Sequence, residues 1–220
     1  KVLTPGKLSC SSDAKAWTDL VYGYTNANHA AIELSNSGET TLTDVKAELK
    51  DGTAFQIVSS PAGQISAGNK TTVSVKPVNG LGAGIYSDTL VISTANGSAN
   101  VTLKATVAKG ENTAVVTLTK TSVTSDSVTV SGQVSGAAGE IEYAISGDKN
   151  MVESKLVWQK DAQFTGLKEF TTYYVYSRVK ETANVKAGQI SQALGVTTLL
   201  SDPFVIDIGR PVSYTHLRAH

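Results

Sequence analysis

Apolar residues recur at every second position along most of the chain, as they do in strands that bury one face. Ile32 and Leu34 alternate with Ala31, Glu33 and Ser35 until Asn36-Ser37-Gly38 breaks the run. Val45, Ala47 and Leu49 alternate next, and Asp51-Gly52 closes them. Phe55, Ile57, Val73 and Val75 continue the series, and Pro77 ends a strand because it has no N–H to give a ladder. The sharpest run is 89–107, where Leu90-Val91-Ile92 is followed by Asn96-Gly97 and then by Ala99, Val101, Leu103, Ala105 and Val107 in strict alternation. Asn-Gly tolerates the positive φ angles of a type I′ turn, so this stretch predicts a hairpin.

The polar stretch Ala108-Lys109-Gly110-Glu111-Asn112 interrupts the pattern, and alternation then restarts, which predicts a domain boundary. Strands are expected at 115–119, 127–134, 141–146, 163–167, 173–180 and 191–196, separated by Gly136 to Gly139, Gly147-Asp148 and other turn residues. About seven short strands per module predict an all-β protein of two tandem β-sandwiches. The expected domains are 1–108, 109–198, a linker or truncated next module at 199–210, and a separate tail at 211–220. In the strand expected at 173–180, Tyr173, Val175, Ser177 and Val179 are expected to face the core, with Tyr174, Tyr176 and Arg178 opposite.

Composition agrees with that reading. The chain has 220 residues, with one Met and two Trp, and Thr, Ser, Val, Gly and Ala dominate. Nineteen basic and nineteen acidic side chains cancel without forming blocks, which removes the electrostatic footprint expected for nucleic acid or an anionic membrane. Membrane insertion is not expected either, since no apolar run nears the ~18 residues that span a bilayer. Cys10 is the only cysteine, so an internal disulfide and a multi-cysteine zinc site are both excluded. The first residue is Lys1 with no leader behind it, so the chain is expected to begin inside a longer protein.

Specific motifs carry a family resemblance. Tyr24-Thr25, Ala31-Ile32-Glu33-Leu34-Ser35-Asn36-Ser37-Gly38, Ile65-Ser66-Ala67-Gly68, Val73-Ser74-Val75-Lys76-Pro77 and Gly84-Ile85-Tyr86-Ser87-Asp88-Thr89-Leu90 occur in that order. They resemble an immunoglobulin-like repeat of Gram-positive bacterial surface proteins, over roughly residues 3–107. The second half is similar to a fibronectin type III repeat through Ile141-Glu142-Tyr143-Ala144-Ile145-Ser146, Trp158-Gln159, Phe164-Thr165-Gly166-Leu167, Tyr176-Ser177-Arg178-Val179-Lys180-Glu181-Thr182 and Val196-Thr197-Thr198. Leu167, Thr171 and Tyr173 keep the spacing that opens a core strand in that family, while Glu169 stands where proline is usual. Residues 148–156 depart from the family's Gly-rich loop.

The end of the chain is expected to have a different origin. Translating GTC TCT TAT ACA CAT CTC CGA GCC CAC gives residues 212–220 without a mismatch, so the tail resembles a translated sequencing-library adapter. The chain then reads as a metagenomic or draft-assembly fragment whose natural sequence stops near Gly209 or Arg210. His216 and His220, four apart, are set aside as metal ligands on that ground. Before the tail, Phe204-Val205-Ile206-Asp207-Ile208 alternates like the first strand of a further module.

Candidate chemistry is sparse. His29 is expected to be an exposed residue rather than a catalytic base, and no nucleophile-elbow motif accompanies it. Ser87-Asp88, Asp126 and Gly147-Asp148-Lys149-Asn150 read as turn signals rather than a calcium loop. Alternation puts Lys46 and Lys104 opposite the apolar face, away from any buried isopeptide site. No cofactor, metal or catalytic residue is assigned. Trp158, Tyr174 and Tyr176 are the candidate ligand contacts, since aromatic faces stack on sugar rings, but packing in the core or against a sheet face is the favoured role.

The expected function is that of non-catalytic spacer or adhesion modules of a secreted or cell-surface, cell-wall bacterial protein. A glycan- or protein-binding module, or an accessory region of a secreted glycoside hydrolase or peptidase, is the alternative. Expected partners are neighbouring modules of the same chain and a glycan or a host or cell-surface protein.

Overall fold

The computed structural model describes residues 1–136 and 138–201. The strand expected at 204–208 and the adapter-like tail with His216 and His220 lie outside the described residues. The chain divides into two compact units, Lys1–Thr113 with Lys180–Gly188, and Ala114–Val179 with the chain from Gln189 onward. Both are all-β sandwiches, each built from two sheets.

The first unit contains β1 (Leu8–Cys10), β2 (Ala14–Val21), β3 (Ala30–Asn36), β4 (Lys46–Leu49), β5 (Phe55–Ser59), β6 (Lys70–Pro77), β7 (Gly84–Thr94) and β8 (Gly97–Ala108). One sheet has the order β1-β3-β6-β5 and the other β2-β8-β7-β4. The opening strand changes sheets at the Ser12 turn, where Ser12 Oγ donates to Ala14 O at 2.6 Å. β1 therefore pairs antiparallel with β3, and β2 runs parallel to β8. That sheet order is immunoglobulin-like. Alternation fills the space between the sheets with Ile32, Leu34, Val73 and Val75 from one and Leu90, Ile92, Val101, Leu103 and Ala105 from the other, all fully buried. Lys46 and Lys104 are exposed on the opposite faces.

Two polar side chains fasten this unit. Asn36 is 1% exposed, and its Nδ2 donates to Thr40 O at 2.8 Å and Ile65 O at 2.9 Å. Its Oδ1 accepts from Lys7 N and Gly38 N, each at 3.0 Å. Gly38 must be glycine there, because a Cβ would stand 2.1 Å from Pro5 O. Asp88, also buried, accepts from Asp51 N at 3.1 Å, Gly52 N at 2.8 Å and Thr89 N at 2.7 Å. The segment Lys180–Gly188 joins the same unit through Asn184, whose carbonyl accepts from Gly110 N and whose Oδ1 accepts from Ala83 N, each at 2.9 Å.

The hairpin at 89–107 forms, but its turn is not type I′. Thr94 pairs with Gly97, so Ala95 and Asn96 occupy the loop, and only Gly97 takes a positive φ. Thr94 sets this register, because its Oγ1 donates to Gly97 O at 2.9 Å and accepts from Asn96 N at 3.2 Å.

The second unit contains β9 (Val115–Val123), β10 (Val128–Ser135), β11 (Ile141–Ser146), β12 (Gln163–Phe164), β13 (Thr172–Val179) and β14 (Leu194–Thr197). Its sheets are β12-β10-β9 and β11-β13-β14, the strand pairing of a fibronectin type III-like sandwich. Val128, Val130, Tyr143, Phe164, Val175 and Val196 form its main core, and Ala114, Val116 and Val179 form a smaller one beside it. The expected strand at 163–167 shortens to two residues, and the one expected at 191–196 starts at Leu194.

Leu167, partly buried against the main core, and Thr171 lead into β13, which Tyr173 enters as its second residue. Lys168 N donates to the Tyr173 hydroxyl at 3.0 Å, which ties the strand start back to the incoming loop, and Thr198 Oγ1 donates to Lys168 O at 2.6 Å. Where proline is usual, the Glu169 carboxylate accepts from Ser201 N at 2.9 Å. The following residue, Phe170, is held at a left-handed φ of 47° with its ring exposed.

Candidate functional site

The outer face of β13, turned away from the sandwich core, carries Tyr174, Tyr176 and Arg178. Register sets each against a residue of β11: Ser146 opposite Tyr174, Ala144 opposite Tyr176, Glu142 opposite Arg178. The small Ala144 leaves room for the Tyr176 ring, and Gly195 of β14, paired with Tyr174, does the same on the other side. The loop after β11 then folds back over this face. Asp148 N donates to Ser146 Oγ and Asn150 N to Asp148 Oδ1, each at 2.9 Å, which turns the chain. A single 3-10 turn at Glu153–Lys155 follows. Gln159 then exchanges main-chain hydrogen bonds with Tyr143 at 2.7 and 2.8 Å, bringing Trp158 down beside Arg178.

The result is a packed cluster of Ala144, Leu156 and Tyr176, against which Met151, Trp158, Tyr174, Ile190 and Ala193 are partly buried. All three sequence-predicted aromatics, Trp158, Tyr174 and Tyr176, meet in it. Tyr176 is only 7% exposed, and its hydroxyl donates to Lys149 O at 2.6 Å. Burial pushes that hydroxyl's pKa up, reinforced by the charge of Asp148 and by Tyr174. Tyr176 therefore lies beneath the loop and does not present a stacking face. Trp158 and Tyr174 are half-buried.

Arg178, Glu142 and Glu153 complete the cluster, although nothing in their spacing singled them out as a group. The Arg178 guanidinium carbon sits 4.1 Å from the centroid of the Trp158 ring. Arg178 Nε donates to Glu142 Oε1 and Nη1 to Glu153 Oε1, each at 2.6 Å. Both sides of the cation are thus occupied, and the two carboxylates leave the trio with a net negative charge. A shallow hollow opens at the rim, lined by Val152, Glu153, Ser154, Leu156, Trp158 and Arg178. Its chemistry offers one half-buried aromatic side chain and an arginine already bonded to two carboxylates, a surface for weak contact.

Other candidates stand apart. His29 is exposed just before β3. Cys10 is half-buried, and burial raises its thiol pKa. Among the described residues no three His, Cys, Asp or Glu side chains converge as metal ligands, and no helix is long and apolar enough to cross a membrane.

No protein-family model matches the chain, and no curated protein matches it. Among solved structures it is similar to the FN1-FN3 domains of chicken CNTN1, at 12% identity and a TM-score of 0.39, covering 86% of this chain and 69% of that one. It is similar to a three-domain stretch of titin at 12% identity and a TM-score of 0.36, over 91% of this chain and 68% of that one. The VesB protease of Vibrio cholerae aligns at 16% identity and a TM-score of 0.33, over 46% of this chain. This chain spans about a third of the VesB chain, 32%. At these TM-scores the likenesses say nothing of activity, and the sandwich assignment rests on the sheet order of each unit.

Proposed function

We propose that the chain supplies non-catalytic spacer and adhesion modules, bounded at 1–108 and 109–198, to a larger secreted or cell-surface bacterial protein. The observation that supports this most is the state of the Arg178 cluster. Arg178 is held by Glu142, Glu153 and Trp158, and Tyr176 is anchored under the 148–149 backbone. The most functional-looking side chains of the chain are thereby engaged with one another. Asn36 and Asp88 likewise direct their polar atoms to the backbone of their own unit.

The half-buried Trp158 and Tyr174 favour a second reading, in which the rim hollow contacts a glycan or a protein surface, as an accessory region of a secreted hydrolase would. A panel of immobilised oligosaccharides separates the two. The spacer reading expects no retention of the chain above background. Retention that disappears with Trp158→Ala or Tyr174→Ala would replace it with the binding reading.

A further inference from the structure

Three steps in the chain place an Asn or Asp directly before glycine: Asp51-Gly52, Asn79-Gly80 and Asn96-Gly97. A glycine has no side chain to obstruct its own nitrogen, so each step is chemically primed for attack of that nitrogen on the preceding side-chain carbonyl carbon. The fold treats the three differently. At Asp51-Gly52 the Gly52 N–H is engaged, donating to Asp88 Oδ2 at 2.8 Å. At Asn96-Gly97 the asparagine is tied at both ends, its main-chain N–H to Thr94 Oγ1 at 3.2 Å and its Nδ2 to Gly6 O at 3.2 Å. Gly97 itself is fixed opposite Thr94 in the β7–β8 ladder, with its carbonyl bonded to Thr94 Oγ1.

Asn79-Gly80 shares the exposure and the positive glycine φ of the other two but not their hydrogen bonds. The step lies in the turn between β6 and β7, and both residues are exposed. Gly80 holds a left-handed φ of 77° with open space around the position of a Cβ. Among the described residues no hydrogen bond holds the Asn79 side chain.

We propose that Asn79 is a site of spontaneous covalent modification, at which the fold permits deamidation that it restrains at Asn96. The Gly80 nitrogen forms a bond to Asn79 Cγ, and the Cγ–Nδ2 bond breaks. The side-chain nitrogen leaves as ammonia, taking the proton from the Gly80 nitrogen, and a succinimide ring remains. Water then opens either ring carbonyl, giving aspartyl or isoaspartyl at this position. The net change is one water consumed and one ammonia released, with no oxidant or reductant. A new carboxylate then stands in the β6–β7 turn.

The test is to incubate the intact chain at mildly alkaline pH and follow each peptide by mass spectrometry, reading the exchange of NH for O and the chromatographic splitting of the isoaspartyl form. In the folded chain the Asn79 peptide should convert ~10-fold faster than the Asn96 peptide, the scale set by losing the hydrogen bonds that hold Asn96. In denaturant the two rates should converge. In an Asn79→Gln chain the fast conversion should vanish while the rate at Asn96 stays the same. Equal rates at the two positions in the folded chain, or an Asn79 that converts only after unfolding, would overturn the assignment.

Discussion

The Asp88 carboxylate fixes the 50–52 turn by accepting three main-chain N–H groups with two oxygens. Burial by itself raises its pKa, but the N–H groups of Gly52, Thr89 and Asp51 outweigh burial and the pKa falls below the ordinary Asp value. A depressed folded pKa gives stability that is present above the unfolded Asp value and is lost as pH falls through the folded one. Asp88→Asn replaces one acceptor oxygen with a donor facing N–H groups and should cost about 2 kcal/mol near neutral pH. In acid titrations of the unfolding midpoint, the gap between the two proteins should close as pH drops below the carboxylate range. Ser177 is the opposite case. It is fully buried on the core side of β13, and among the described residues its hydroxyl has no hydrogen-bond partner. Ser177→Ala removes an unsatisfied group at almost constant volume, so denaturant melts should show a gain of about 1 kcal/mol. Neither role was legible from sequence, where Asp88 read as a turn residue and Ser177 as one more core position, because partner geometry lies in residues far along the chain.

At the scale of elements, alternation located most strands and chose the inward face of β13, since strand period depends only on neighbours in sequence. It failed where side chains set the geometry: Thr94 moved the hairpin turn off type I′, and the 147–159 loop covers the outer face of β13 without any period of its own. That loop is why Tyr176, on the face opposite the sandwich core, is buried. The two Arg178 bonds offer a test of how the loop is held. They have equal length, yet the Glu142 side chain is 12% exposed and the Glu153 side chain 59%. Glu142→Gln should destabilise the second unit by about 2 kcal/mol, since it weakens a largely desolvated pair. Glu153→Gln should cost under ~0.5 kcal/mol, as solvent screens it. Chemical denaturation followed by Trp158 fluorescence would measure both, and equal losses would refute the role given to burial.

Over the whole molecule, two units each close their own core, one around Leu103 and the other around Val175. Both side chains are fully buried, and truncating Leu103 to alanine should cost about 3 kcal/mol. Local alternation made the two-unit organisation readable, whereas the membership of Lys180–Gly188 in the first unit depends on long-range pairing that no sequence period encodes. The most direct measurement is residue-resolved hydrogen exchange on the Leu103→Ala chain. Amides of β1 to β8 should lose protection together while those of β9 to β14 keep theirs. An equal loss of protection across both sets would show a single cooperative core and contradict the account.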